Sequence, residues 1–432
     1  MHEENFKRQI SRAASGSLGI RIISTGLSFL TSVVLARLLG VSEYGIYIYA
    51  ISWKGLLGFV AIFGFDRLLI KEISVLHSKH SWNEMSALLR LSNKITAFTS
   101  TTLLLLAILT VWLLMRNNNS ELFIALSIAF VSLLPSTLGS LRSATLSGLN
   151  LVILGQLPEL IFLPSIFIIL VGFSHLFLGD DLDLISIMTV WLISVFMNFL
   201  IGSFILFKKL PKSVAISIPR YERSREWVSS ALPFIFISGM NVLLGKTDII
   251  MLGTMASTSE VGIYAVCSRT SQFVSFVLIA MNSALGPNIA RLYANGQKEK
   301  LQNIVTKTTR LVSLAALPIV LAIVFLGNWL LSLYGDEFTS GYLTLIILSI
   351  SQLANVATGS VGLLLNMTGH QNEVAIGIGI SAGLNLILNL LLIPLLGILG
   401  AAIATAISMI LQNIHLMFIV SRRLGIRSSV FG

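Results

Sequence analysis

The sequence contains few charged residues. Only 11% of its 432 residues are Asp, Glu, Lys or Arg, whereas 55% are hydrophobic. A soluble domain carries roughly 25% charged residues, which cover much of its surface. A soluble fold of this length is therefore excluded. The composition predicts an integral membrane protein, because lipid then covers most of the apolar surface.

Residues that could support catalysis are also scarce. The one cysteine, Cys267, lies within an apolar run, which excludes a disulfide and Cys-x-x-Cys chemistry. The sequence has no phosphate-binding glycine loop and no metal-ligand spacing of His and Cys. We therefore predict that the protein is not an enzyme and holds no cofactor. The net charge of +10 would suggest nucleic acid in a soluble protein, but here the basic residues follow the membrane topology, so no nucleic-acid partner is predicted.

Long hydrophobic runs, in contrast, are frequent. A spanning helix needs about 20 mostly apolar residues, and the sequence contains about twelve such runs separated by polar breaks, for example at 116–119 and 179–181. The runs are 16–39, 44–70, 91–115, 122–147, 152–177, 185–207, 229–253, 262–287, 309–333, 341–366, 374–396 and 398–420. We predict an all-α integral membrane protein with about twelve spanning helices.

Basic residues are distributed unequally between the two sides of this predicted membrane domain. The side that holds the termini carries most of the Lys and Arg residues, from Lys7, Arg8 and Arg12 at the start to Arg422 and Arg423 near the end. Lys and Arg concentrate in cytoplasmic loops, so both termini are predicted to be cytoplasmic.

Two stretches on the predicted cytoplasmic side are longer than a turn. Residues 71–90 mix apolar and charged side chains, which predicts a helix lying at the membrane interface. Residues 208–228 are polar and fall at the midpoint of the chain, so we predict a linker between two halves, with Trp227 as an interfacial anchor.

The two halves of the sequence resemble each other. The segment Ser42–Tyr47 (SEYGIY) recurs as Ser259–Tyr264 (SEVGIY). Six helices per half place both halves in the same orientation, related by an axis along the membrane normal. We therefore predict an N-terminal lobe over 1–207 and a C-terminal lobe over 229–432. These two pseudo-symmetric six-helix bundles would surround a central cavity, an architecture suited to alternating access.

Several segments then point to a family. They are Ser32–Gly40 (SVVLARLLG), Gly64–Arg67 (GFDR), the pair Asn385 and Asn389, and the glycine pair Gly397 and Gly400. With SEYGIY, this pattern resembles the polysaccharide-unit (O-antigen type) flippases of the multidrug/oligosaccharidyl-lipid/polysaccharide (MOP) exporter superfamily. The resemblance implies a flippase of the bacterial cytoplasmic membrane. Its substrate would be a polyprenyl-diphosphate-linked oligosaccharide that moves from the cytoplasmic to the outer leaflet, with membrane lipid, a polysaccharide polymerase and glycosyltransferases as partners.

Four basic residues lie inside predicted spans: Arg21, Lys54, Lys246 and Arg269. A basic residue at a helix centre costs roughly 2.5–3.5 kcal/mol on insertion scales, and such residues usually face a wet cavity. We predict that they bind the diphosphate. Alternatively, Arg21 reaches the cytoplasmic interface and Lys246 pairs with Asp248. In the related peptidoglycan-precursor flippases, basic residues on helices 1, 2 and 8 line the cavity, and Arg21, Lys54 and Arg269 match these by helix and depth.

A second group of polar residues consists of Asp248, Asn385, Asn389 and Thr405. The two asparagines are four apart and share one helix face. By resemblance to the peptidoglycan-precursor flippases, the group is a candidate site for a coupling ion, Na+ or H+, and no other metal is predicted. Those flippases carry a second carboxylate where this chain has Asn389. The alternative is that Asn and Thr join helices as packing contacts.

Three other functions remain open. A multidrug and toxin cation antiporter of the same superfamily would place carboxylates in the cavity, whereas helix 1 here carries Arg21. A peptidoglycan-precursor flippase usually has two more C-terminal helices. A membrane glycosyltransferase or polymerase would need catalytic acids at a membrane face or a large outer loop. One further acid, Glu159, follows Pro158 and is predicted to pair with Arg142, with a proton site as the alternative.

Overall fold

The computed structural model describes residues 2–115, 120–179 and 182–431, and in these ranges the chain is helical with no strand. The helices are α1 (His2–Ile62), α2 (Phe65–Ser78), α3 (Trp82–Met115), α4 (Ser120–Val131), α5 (Leu133–Gly148), α6 (Val152–Leu157), α7 (Leu163–Leu178), α8 (Leu184–Lys209), α9 (Lys212–Ile216), α10 (Ser224–Met255), α11 (Thr258–Ser271), α12 (Phe273–Ala294), α13 (Lys298–Ser332), α14 (Tyr342–Thr358), α15 (Val361–Met367), α16 (Gln371–Leu396) and α17 (Ile398–Leu424). A π-helical turn (Pro158–Phe162) precedes α7 and a 3-10 turn (Asp336–Gly341) precedes α14. Two predicted breaks lie wholly or partly outside the described residues: 116–119, and Asp180 and Asp181 of the break at 179–181. The side chains of Lys7, Arg8 and Arg12 are also outside them.

The predicted all-α membrane fold is confirmed. Lipid offers no hydrogen-bond partner to the backbone, so a chain this apolar satisfies its amides within helices. Nine helices of the described ranges are long and apolar enough to cross a membrane, or ten if the bent pair Thr258–Ser271 and Phe273–Ser283 forms one span.

With the bent pair counted, two of the twelve predicted spans are missing: α10, which contains the run 229–253, is not among these helices, and the first two runs meet at Gly40. The first two predicted runs belong to one helix, α1, whose 61 residues measure about 90 Å at 1.5 Å per residue. That is three times the thickness of the hydrocarbon core. Gly40 interrupts the helical geometry with φ 67° and ψ −179°, a conformation that glycine adopts without strain. The two predicted runs are therefore the two arms of a kinked helix.

The chain forms two compact units. Unit 1 consists of Met1–Thr31 and Ala50–Val242, and unit 2 consists of Ser32–Tyr49 and Leu243–Gly432. Both α1 and α10 therefore contribute residues to each unit. The predicted lobes, 1–207 and 229–432 with a linker over 208–228, are defined by the repeat rather than by packing, and they stay a prediction.

The core of unit 1 includes residues that were predicted to lie at the membrane interface. Trp227 is only 1% exposed and packs with the buried side chains of α2, α3 and α5. Residues 71–90 do not form one interfacial helix, because α2 ends at Ser78 and α3 begins at Trp82. Leu76 and Met85 lie in the same core. Residues 71–90 therefore belong to two helices rather than the one predicted, and Trp227 is a core residue rather than an exposed anchor.

The predicted linker is held to unit 1 by an ion cluster around Arg223. Its guanidinium contacts Glu226 at 2.8 Å, Glu84 at 3.3 Å and Glu72 at 3.7 Å. Hydrogen bonds to the Glu226 carboxylate raise the pKa of Arg223 further above its ordinary value and lower the pKa of Glu226. The carboxylates of α2 and α3 thereby fix the residues that enter α10.

The repeated sequence produces a close helix contact inside unit 2. A methyl group on Gly45 of α1 would collide with the carbonyl oxygen of Thr258 at the start of α11. A methyl group on Gly262 would lie 2.5 Å from the carbonyl oxygen of Val41. Gly45 and Gly262 are equivalent residues of the two copies, and Val41 and Thr258 are the equivalent residues that directly precede the two copies. The repeat therefore packs against itself around a local pseudo-two-fold axis, with glycine supplying the room that close helix contacts require.

We expect Gly45→Ala and Gly262→Ala each to destabilise the protein. The added methyl has no free space, and overpacking typically costs about 1–3 kcal/mol. The matched control is Gly172→Ala in α7, where a methyl group would meet nothing within 4 Å and where alanine favours the helix. Thermal unfolding of the purified protein in detergent measures the effect. Equal melting temperatures for the Gly45 and Gly172 variants would contradict the contact.

Candidate functional site

Unit 1 contains a cavity of about 750 Å³ that is lined by both polar and apolar residues. It is formed by the second arm of α1, the start of α2, the middle of α5 and the first half of α10. The polar lining residues are Lys54, Asp66, Arg67, Ser136, Thr137 and Ser140. Phe59, Ile62 and Phe234 supply apolar walls. A cavity with two cations, one carboxylate and several hydroxyls suits a ligand that is both anionic and rich in hydrogen-bonding groups.

Lys54 is the predicted basic residue that lines this cavity. Its ammonium group lies 5.5 Å from the centroid of the Trp191 ring, which is a cation–π distance. The aromatic face replaces part of the hydration that the ammonium group loses inside the helix bundle.

Sequence reasoning missed the other polar residues of the cavity. Arg67 lies 3.9 Å from Asp66, a loose and exposed ion pair that contributes little to stability. Gly64–Arg67 was noticed only for its family resemblance. Ser136 and Ser140 are four apart on α5, a spacing that places both hydroxyls on one helix face and was a readable signal.

The other predicted basic residues lie elsewhere. Arg21, also in unit 1, is exposed and is not part of the cavity lining. Lys246 and Arg269 both belong to unit 2, where their positive charges act on each other. A shared role of these residues in binding one diphosphate stays a prediction.

The predicted group around Asp248 does come together in unit 2. Asn389 Nδ2 donates to Asp248 Oδ1 at 2.7 Å, and Asn385 Nδ2 donates to the same oxygen at 3.2 Å. The hydroxyls of Thr405 and Tyr264 donate to Asp248 Oδ2, each at 2.5 Å. Four helices, α10, α11, α16 and α17, thus converge on one carboxylate that is 7% exposed.

The donors to Asp248 are all neutral, so the cluster keeps one uncompensated carboxylate charge when it is ionised. Lys246 is not its partner, because both carboxylate oxygens are occupied by the four neutral groups. The Oδ1 atom of Asn389 is buried and accepts no hydrogen bond from the described residues. An adjoining cavity of about 250 Å³ reaches Asn385 and Thr405. The cluster therefore combines oxygen atoms that could coordinate a cation, a buried carboxylate and an adjoining cavity. These are the features that a small cation needs.

Tyr264 is a member of this cluster that sequence reasoning missed. The signal was its place as the last residue of the repeated SEVGIY segment. Its position follows from the glycine contact described above, since Gly262 lies two residues earlier on the same helix.

Replacing Tyr264 with Phe should lower the stability of unit 2. The change removes one of two hydroxyls from Asp248 Oδ2, and a hydrogen bond to a charged group contributes about 1.5–3 kcal/mol. Tyr293→Phe is the control, because that ring lies on the surface, 42% exposed. Melting temperatures of the two variants in detergent make the comparison. A Tyr264→Phe protein as stable as the control would mean that the carboxylate does not depend on this hydroxyl.

Two family models match the chain. The first, described as "Polysaccharide biosynthesis protein", matches residues 13–293, and the second, MatE, matches residues 233–391. The first match covers well over half of the sequence and includes the unit 1 cavity and Asp248.

Two similar proteins come from the archaeon Haloferax volcanii. The probable flippase AglR is 33% identical over 171 residues, which cover 39% of this chain and 36% of AglR, so the similarity spans about a third of that protein. The probable low-salt glycan biosynthesis flippase Agl15 is 25% identical over 402 residues, which cover 91% of this chain and 79% of Agl15.

Solved structures with a similar fold include transporters of two kinds. An inward-facing multidrug resistance MATE family transporter of the MOP superfamily has a TM-score of 0.77 at 14% identity, with 95% of this chain and 98% of that chain covered. The lipid II flippase MurJ, in an inward closed conformation, has a TM-score of 0.71 at 16% identity, with 93% and 86% covered. At such identities the likeness concerns the fold alone.

Proposed function

Because this chain belongs to the polysaccharide biosynthesis protein family of the MOP transporter superfamily, we propose that it is a flippase for a polyprenyl-diphosphate-linked oligosaccharide. In this proposal the glycan unit moves from the cytoplasmic to the outer leaflet by alternating access, for the synthesis of a surface glycan. The names of AglR and Agl15 support flipping, and that of Agl15 supports glycan biosynthesis.

The observation that carries the proposal is the composition of the unit 1 cavity. Lys54 and Arg67 supply positive charge, and arginine matches the geometry of phosphate oxygens. The hydroxyls of Ser136 and Ser140 suit the many hydroxyl groups of a glycan. The polyprenyl chain needs no protein site, because it stays in lipid. In an organic-cation antiporter the same two basic residues would repel the substrate.

We assign Arg21, Lys246 and Arg269 to the same ligand in other steps of its passage. Each is a basic side chain at a depth where charge needs a partner or water. Arg21 lies on the arm of α1 that precedes Gly40, and Lys54 lies on the arm that follows it. Each of these three residues should therefore be replaced singly and its effect on transport measured.

We assign the Asp248 cluster to the coupling ion, Na+ or H+. A buried carboxylate surrounded by neutral donors gains a counter-charge when it binds either ion. Sodium would take oxygens from Asp248, Thr405 and the asparagines, whose amides would turn their oxygens inward, while a proton would need only Asp248. Val242 lines the unit 1 cavity and Asp248 follows six residues later on α10. An ion that changes the contacts of Asp248 thus acts on a helix that also forms the cavity wall.

The cellular setting follows from the same proposal. We place the protein in the cytoplasmic membrane with both termini inside, beside glycosyltransferases that build the lipid-linked unit and a polymerase or transferase that consumes it. The relatives named above are archaeal, so the bacterial membrane and the O-antigen pathway stay predictions from the sequence. The chain itself transports and carries out no bond-making step.

Replacing Lys54 or Arg67 with Ala should reduce transport at least about tenfold, since each removes a charged contact to phosphate of the order of 1.5–3 kcal/mol. The assay uses proteoliposomes with a labelled polyprenyl-diphosphate oligosaccharide and measures its arrival in the opposite leaflet. Lys54→Arg should retain part of the activity, because the charge remains.

The control for this experiment is Lys209→Ala, an exposed basic residue at the end of α8 outside the cavity. It should transport at the normal rate. Normal transport by the Lys54 and Arg67 variants at equal protein levels would refute the proposed site. Movement of organic cations, with none of the lipid-linked glycan, would instead support the antiporter.

Replacing Asp248 with Asn tests the coupling assignment separately. The wild-type transport rate should depend on the Na+ or the H+ gradient, and the variant should lose that dependence together with most of its rate. Asn413→Asp on α17 offers a comparison, because it adds a carboxylate beside the same small cavity without touching Asp248. An Asp248→Asn protein that transports slowly but keeps its ion dependence would remove the carboxylate from coupling.

A further inference from the structure

Arg142 of α5 is the most deeply buried basic residue in the described part of the chain, with 4% of its surface exposed. Its Nη1 atom donates to the carbonyl oxygens of Phe199 at 3.0 Å and Asn198 at 3.5 Å on α8. Its Nε and Nη2 atoms have no hydrogen-bond partner among the described residues. The side chain therefore does not reach out to water as a surface arginine would. The guanidinium lies across α8, and two of its three nitrogen atoms have no hydrogen-bond partner among the described residues.

The position of this guanidinium is built into the backbone of α8. A methyl group on Gly202 would overlap the Cζ and Nη1 atoms of Arg142. Glycine at this position lets the planar group lie flat against the helix. An arginine held in one orientation with free donors loses little conformational entropy when it binds an anion.

The expected pairing of Arg142 with Glu159 accounts for only part of this arrangement. The two charges interact, and both groups face Gly139, where an added methyl would lie 3.5 Å from Glu159 Oε1 and 3.6 Å from Arg142 Nη2. The hydrogen bonds of the guanidinium nevertheless go to the carbonyl groups of α8. The carboxylate offsets charge from one side and leaves Nε unsatisfied.

Arg142 forms one wall of a second cavity in unit 1, of about 440 Å³. Lys94 and Asn93 on α3 and Ser203 on α8 add a second cation and two neutral polar groups. The remaining walls are apolar, formed by Ala97, Leu138, Phe199 and Leu206. No acidic residue is among the lining residues of this cavity. The cavity therefore has basic and hydrogen-bonding residues in one part of its lining and apolar residues in the rest, which could contact an acyl chain.

The place of this cavity along the helices relates it to the lipid surface. It lies in the first half of α3, the middle of α5 and the second half of α8, toward the helix ends that the loop charges predict to be cytoplasmic. Phe98 on α3 and Phe204 and Phe207 on α8 are 73%, 58% and 81% exposed in the same turns. Such rings are suited to contact lipid. The cytoplasmic leaflet carries anionic lipids, and basic pockets between spanning helices on that side bind their head groups.

We propose that the cavity between α3, α5 and α8 binds the phosphate of an anionic phospholipid of the cytoplasmic leaflet. Arg142 supplies a buried positive charge behind the phosphate, Lys94 supplies the second charge from the rim, and Ser203 hydrogen-bonds the head group. The upper part of an acyl chain lies against Leu138 and Leu206. The lipid is a bound structural ligand of unit 1 and is separate from the transported substrate, so this site does not depend on the proposed function.

The test is lipid-dependent thermal stabilisation of the purified full-length protein in detergent. Phosphatidylglycerol is titrated against phosphatidylcholine of the same acyl composition, and farnesyl diphosphate is titrated as a probe for prenyl diphosphates. The variants are Arg142→Gln, Lys94→Gln and Glu159→Gln, with Lys209→Gln as a basic control outside the cavity.

Phosphatidylglycerol should raise the melting temperature of the wild type more than phosphatidylcholine does. Arg142→Gln should require about tenfold more phosphatidylglycerol for the same effect, since it removes the buried positive charge beside the head group. Lys94→Gln should show a smaller loss, while Glu159→Gln and Lys209→Gln should respond as the wild type. If Arg142→Gln fails to fold, Lys94→Gln decides, because Lys94 is exposed.

Three results would overturn the proposal. The first is an unchanged response to phosphatidylglycerol in both the Arg142 and Lys94 variants. The second is a loss of response in Glu159→Gln, which would make the carboxylate rather than a lipid the partner of Arg142. The third is stabilisation through Arg142 by farnesyl diphosphate and not by phosphatidylglycerol, which would assign the cavity to the transported lipid.

Discussion

Burial of ionisable groups in an apolar helix bundle is the constraint on which this structure depends. Lipid cannot satisfy a charge, so each charge inside the bundle needs partners from neighbouring helices or from water. Asp248 receives four neutral donors, Arg142 donates to carbonyl oxygens of α8, and Lys54 lies over the ring of Trp191 beside a cavity. In each arrangement, uncharged groups of neighbouring helices contact the ionisable side chain. These contacts replace part of the hydration that the group loses on burial.

Close packing at glycine makes these arrangements possible. Gly202 gives the guanidinium of Arg142 its place on α8, and Gly45 and Gly262 bring α1 and α11 together. The second contact matters for the buried carboxylate as well, because α11 carries both Gly262 and Tyr264. A shift of α11 away from α1 would move the Tyr264 hydroxyl relative to Asp248. The repeated segment thus has two linked effects, a symmetric helix contact and one of the four hydrogen bonds to the carboxylate.

The helical membrane fold and the shared face of the two asparagines followed from the sequence, because hydrophobic length and four-residue spacing are local properties. The grouping of Asp248 and Thr405 with them was implied by the resemblance to the peptidoglycan-precursor flippases. Asn385 and Asn389 share a helix face wherever that helix lies. Trp227 was misplaced because an aromatic residue beside charged ones suits both an interface and a core, and only its neighbours decide. Arg67 was not recognised as a cavity residue for the same reason. The shape of a cavity depends on the packing of several helices, which no local pattern records.

Helix α10 connects the two kinds of site within one continuous element. Phe234 and Val242 line the basic cavity of unit 1, and Asp248 lies about 9 Å beyond Val242 at 1.5 Å per residue. A helix transmits a rotation or a tilt along its axis with little loss, since its backbone hydrogen bonds hold successive turns together. Binding of a cation at Asp248 would change the contacts of α10 with α11, α16 and α17, and the same helix would then present a different wall to the anionic ligand. In the proposed function, coupling between ion and substrate would need no long path of side chains, because α10 contributes residues to each unit.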